Sequence, residues 1–70
     1  MLIKNNIRKF RFDANEMTQQ QLADLSNVSR QTIIAVEAGK YTPSLELAFR
    51  IAFALKAKIE EVFIAELDEI

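Results

Sequence analysis

The sequence predicts an all-α fold of five short helices, and three observations carry that prediction. Glycine and proline occur once each, as Gly39 and Pro43, and both fall in a single loop near the middle of the chain. Elsewhere good helix formers such as Ala, Leu, Gln, Glu and Lys recur throughout, and apolar residues return at spacings of three and four. A hydroxyl residue stands before three of the helical runs, as Thr18, Ser29 and Ser44, where a side-chain oxygen can accept from an otherwise unpaired backbone N–H.

The elements follow in order. Ile7, Phe10 and Ala14 mark a first helix over about residues 6–15. Thr18 caps a second over residues 19–26, in which Leu22, Ala23 and Leu25 are the apolar positions. Asn27-Val28 forms a tight break, and Ser29 caps a third helix over residues 30–38 that Gly39 closes. After the loop KYTP, Ser44 caps a fourth, whose Ala48, Ile51, Ala52 and Leu55 keep the i, i+3, i+4, i+7 pattern. Ile59, Val62 and Phe63 mark a short fifth helical turn starting near Lys58. The ends carry β-prone residues: Leu2-Ile3, and Phe63, Ala65 and Leu67 alternating with Ile64, Glu66 and Asp68. They permit a short two-stranded antiparallel sheet formed by the termini.

Seventy residues, half of them apolar and 27% charged, allow one small globular domain spanning 1–70, without repeats or a linker. The absence of Cys and His removes disulfides, the usual zinc frameworks, and His-assisted nucleophilic catalysis. No Gly-rich loop is present to cradle phosphates, so neither an enzyme nor a cofactor is expected, and no metal. The opening MLIKNNIRKF has no signal-peptide character, and the longest uncharged apolar stretch, residues 51–55, is too short for a bilayer. A cytoplasmic binding module is the expected class, with no membrane partner and no room for a small-molecule domain.

Charge is polarised along the chain. Residues 1–40 carry six bases (Lys4, Arg8, Lys9, Arg11, Arg30, Lys40) against four acids, whereas residues 41–70 carry three bases against six acids. This asymmetry fits one phosphate-facing side, but a solvated acidic end explains the second half equally well. Charge alone decides nothing.

The informative segment is TQQQLADLS-NV-SRQTIIAVEAG, two short helices a few residues apart. This is a helix-turn-helix, in which the second helix enters the DNA major groove while the first crosses the backbone. Ala23 is small where the helices must approach. Leu22, Val28, Ile33 and Val36 are apolar where each must face the core. Asn27 occupies the turn position that needs positive φ, which Asn tolerates and a β-branched residue does not.

Residues 18–39 resemble the helix-turn-helix of the Cro-repressor or Xre family of phage and bacterial regulators. The similarity continues through K-Y-T-P-S-L-E-L-A-F-R-I-A and I-E-E-V-F, and so covers nearly the whole chain. It implies a five-helix repressor-like DNA-binding domain, and compact members of this length form dimeric repressors. The family's Gln at the start of helix two matches Gln19, which would buttress a backbone phosphate and the recognition helix. Its outward recognition positions match Ser29, Arg30, Gln31 and Thr32, with Ile34 one turn on. Its internal ion pair between helices one and three matches Arg11 and Glu37.

Residue chemistry then assigns the readout. Arg30 can donate two parallel hydrogen bonds to guanine O6 and N7 or clamp a phosphate, Gln31 suits adenine, and Ile34 suits a thymine methyl. Phosphate anchoring is expected from Gln19, Lys40, Tyr41 and Thr42. Ile34 is read as outward because Ile33 and Val36 fill the inward face. Phe10, Phe49, Phe53 and Phe63 are read as core aromatics, Phe12 either covers the terminal sheet or is exposed, and Arg8-Lys9 is read as a solvated face grazing phosphate at most.

The expected function is that of a sequence-specific regulator of transcription, a repressor bound as a homodimer to a palindromic double-stranded DNA operator. One such module buries only about 600–1,000 Å² on DNA, so two on adjacent half-sites gain through effective concentration. Leu55, Ile59, Val62, Ile64 and Leu67 are the expected dimer interface, because they offer more apolar surface than so small a monomer can bury. The alternatives are an antitoxin or restriction-system controller that also binds a partner protein, and a protein-interaction module on the same fold.

Overall fold

The computed structural model describes residues 1–67. Its elements run β1 (Leu2–Asn5), α1 (Ile7–Asp13), α2 (Gln19–Ser26), α3 (Arg30–Glu37), α4 (Leu45–Ala54), α5 (Ile59–Val62) and β2 (Phe63–Glu66). All-α is therefore only approximate. β1 and β2 pair antiparallel, with Leu2 opposite Glu66, Ile3 opposite Ala65, Lys4 opposite Ile64 and Asn5 opposite Phe63. The alternation expected from Phe63 onward forms a strand as far as Glu66 and not at Leu67, while Asp68 and the acidic end beyond it lie outside the described residues.

Local chemistry sets each boundary. α1 ends earlier than its apolar spacing predicts, because Asn15 and Glu16 both take left-handed backbone angles and turn the chain away. Thr18 and Gln21 form a reciprocal cap: the Thr18 hydroxyl accepts from the Gln21 N–H at 3.0 Å, and the Gln21 Oε1 accepts from the Thr18 N–H at 2.8 Å. The Ser44 hydroxyl accepts from the Leu47 N–H at 3.1 Å and starts α4. α3 stops at Glu37, and Gly39, at φ 76°, carries the chain into the loop. Lys58 cannot cap α5 with its own side chain; instead the Glu61 carboxylate accepts from the Lys58 N–H at 2.9 Å.

One apolar core joins the helices: Ile7 from α1, Leu22 and Ala23 from α2, Ile33 and Val36 from α3, Leu47, Ile51, Ala52 and Leu55 around α4, and Val62 from α5. Ser26 is buried among them, and its hydroxyl finds no hydrogen-bond partner among the described residues.

The core corrects two expectations. Leu55 and Val62 are buried within the chain itself and Ile59 is half-buried, so of the five residues expected at a dimer interface only Ile64 and Leu67 remain exposed. The reason is the left-handed turn at Lys56, which folds α5 back onto α4. Phe49 and Phe53 are not core aromatics. They lie at i, i+4 along the side of α4 away from the body, with ring centroids 6.3 Å apart, and Phe53 is 75% exposed. Phe10 and Phe63 pack against the core from its edge, and Phe12 is exposed.

Candidate nucleic-acid interface

The site is built by the turn between α2 and α3. Asn27 caps α2 at φ 59°, ψ 45°, and returns its N–H to the Ala23 and Asp24 carbonyls. The Val28 N–H reaches the Ala23 carbonyl at 3.0 Å, which tightens the turn. Ser29 then opens α3: its hydroxyl accepts from the Thr32 N–H at 3.2 Å and lies 3.0 Å from the Thr32 hydroxyl. Two of the residues expected to touch DNA are thus partly engaged in starting the helix.

α3 has two distinct sides. Ile33 and Val36 are buried against α2 and the core, whereas Arg30 and Gln31 are exposed and Ile34 is 39% exposed. Thr32 is half-buried between them. Gln19, half-buried at the start of α2, lines two shallow concavities beside α3, one with Arg30 and the other with Ile34. The fold therefore brings Gln19, Arg30 and Ile34 onto one surface. Tyr41 and Thr42 line a separate crevice past the other end of α3, with Ile3 and Phe63, and Lys40 is exposed beside them.

An ion pair at the floor of the two concavities braces this surface. The Arg11 Nε donates to Glu37 Oε2 at 3.1 Å and its Nη2 donates to Oε1 at 2.7 Å, in the bidentate geometry that makes such pairs strong. The Arg11 Nη1 also donates to the Met17 carbonyl at 2.8 Å, so one guanidinium joins α1, α3 and the entry to α2. Arg8 and Lys9 lie closer to the site than residue type alone suggests. Arg8 lines both concavities and Lys9 lines the second, alongside Gln19. The signal in the sequence is their place on the same short helix as Arg11. Among the described residues, no cluster of acidic, His or Cys side chains is placed to hold a metal ion, and no helix is long and apolar enough to cross a membrane.

A helix-turn-helix family model matches residues 7–62 of this chain. An uncharacterised helix-turn-helix-type transcriptional regulator of Methanocaldococcus jannaschii is 54% identical over 67 residues, covering 96% of this chain and all of the relative. The regulator YgzD of Bacillus subtilis is 39% identical over 61 residues, covering 87% of this chain and 91% of the relative. Among solved structures, the restriction-modification controller protein C.AhdI of Aeromonas hydrophila superposes with a TM-score of 0.72 at 33% identity, covering 79% of this chain and 82% of the controller. With the match spanning all five helices, this chain belongs to the helix-turn-helix family of DNA-binding transcriptional regulators.

Proposed function

We propose that the chain is a sequence-specific regulator that binds double-stranded DNA through α3, acting in the cytoplasm as a homodimeric repressor on a palindromic operator, with residues 1–70 working as one domain. The observation that carries this reading is the division of α3. Arg30, Gln31 and Ile34 face outward, while Ile33 and Val36 fix the helix to the body. Arg30 would read guanine or clamp a phosphate, Gln31 would read adenine, and Ile34 would meet a thymine methyl. Gln19, Ser29, Thr32, Lys40, Tyr41 and Thr42 would hold the flanking backbone and set the register.

The homodimer rests on exposed apolar side chains. Leu45, Phe49 and Phe53 form one ridge of α4, and Ile64 and Leu67 add to the apolar surface left open. A two-fold pair would place two recognition helices about one helical turn of DNA apart. Control of a restriction system is compatible with the likeness to the Aeromonas controller.

Selection of bound sites from random duplex DNA tests the reading. A symmetric site with half-sites roughly 34–36 Å apart is expected. The Arg30→Ala, Gln31→Ala pair should lose that site while melting like the wild type. An unenriched pool would count against sequence-specific binding, and a monomer mass unchanged with concentration in sedimentation at micromolar protein would remove the homodimer.

A further inference from the structure

We infer that α1 is a third DNA-contacting element, in which Arg8 and Lys9 hold backbone phosphates flanking the groove that α3 enters; this rests on the DNA-binding reading above. The two concavities beside α3 meet at α1, since Arg8 lines both and Lys9 lines the one that holds Ile34. Arg8 stands three residues before Arg11, on the flank of α1 that Arg11 turns toward α3. The N-terminal half of α1 therefore borders the reading surface.

Charge points the same way. The charged side chains lining the two concavities are Arg8, Lys9, Arg11 and Arg30 against Glu16 and Glu37. Arg11 and Glu37 neutralise each other, which leaves three cations against Glu16 on a chain whose net charge is −1. Arg8 and Lys9 are exposed and make no hydrogen bond or ion pair among the described residues; Asp13, one turn after Lys9, does not pair with it. By contrast, Lys4 is paired with Glu66 and Arg50 with Glu46. Two unpaired cations beside a helix offered to the major groove match the phosphates on either side of that groove. Phosphate binding of this kind positions a protein without reading bases.

The test uses the duplex selected by the wild-type chain and a scrambled duplex, each titrated at two salt concentrations with the wild type, R8Q/K9Q and K4Q. R8Q/K9Q should keep the wild-type site preference and melting temperature. It should weaken binding to both duplexes alike, with a slope of log affinity on log salt shallower by about 0.9 for each phosphate no longer neutralised. For two phosphates the defect should be roughly tenfold larger at about 50 mM than at about 200 mM salt. K4Q, on the sheet, should keep the wild-type slope. An R8Q/K9Q slope and affinity equal to wild type would overturn the inference, as would a defect confined to the selected site. A wild-type chain that binds neither duplex would instead bring down the DNA-binding reading, and this inference with it.

Discussion

The side-chain amide of Asn5 donates to the Val36 carbonyl at 3.1 Å, so the first strand holds the last turn of α3 across thirty-one residues of sequence. The same Nδ2 lies 3.3 Å from the Glu37 carbonyl, and the Asn5 Oδ1 accepts from the Ile7 N–H at 3.2 Å. One amide thus satisfies the open end of α3 and the start of α1. Asn5→Ala should destabilise the fold by about 1–3 kcal/mol, since it strands partly buried backbone groups. Asn5→Asp should cost more than Asn5→Ala, because a carboxylate would face two carbonyl oxygens. Denaturant melts rank the two variants, and amide exchange near Val36 should quicken in both.

The Arg11–Glu37 pair is the second tie on α3, with its side chains only 15% and 13% exposed. Arg11→Met should cost about 3 kcal/mol, because Glu37 would be left charged with little water. Arg11→Met combined with Glu37→Met should recover much of that loss, since the apolar pair carries no desolvation penalty. A double-mutant cycle by chemical denaturation measures the difference.

At Asn27, with its φ of 59°, Asn27→Gly should change stability by less than about 0.5 kcal/mol, whereas Asn27→Val should cost about 1–2 kcal/mol. Lys56 holds a similar angle, φ 54°, without the local hydrogen bonding that suits Asn to it. Lys56→Gly should therefore stabilise the chain by about 1 kcal/mol. Thermal melts of the three variants check both signs.

Ser26 predicts a gain from losing a polar group. Its buried hydroxyl has no partner among the described residues, so Ser26→Ala should raise stability by about 1 kcal/mol and the melting temperature by roughly 4–8 °C. A lower melting temperature would mean that the hydroxyl is satisfied in solution.

Much of the fold is legible in the sequence because it is local. Thr18, Ser29 and Ser44 cap the helices they precede, Asn27 takes the left-handed turn, and alternation near residue 64 marks a strand. These outcomes depend on a few neighbouring residues and one backbone angle. The features that escape the sequence depend on distant ones. In α4, LELAFRIAFA, the stripe of Ala48, Ile51, Ala52 and Leu55 faces the body as its spacing predicts, but Phe49 and Phe53 make the opposite side apolar too, so residue type alone does not say which apolar side stays open. The turn at Lys56 makes that choice by bringing α5 against one side. Arg8 is hard to place for a related reason: a seven-residue helix shows which residues are polar, but only the pairing of Arg11 with Glu37 shows which polar flank adjoins α3.

The pairing of Leu2 with Glu66 spans nearly the full described length, while α2 and α3 meet across a three-residue turn. During synthesis α2 and α3 can close on each other early, but Asn5 gains its strand neighbour only once residue 63 has left the ribosome. The sheet beside the end of α3 is completed last, and a nascent chain stalled before that point would carry α3 without its full brace.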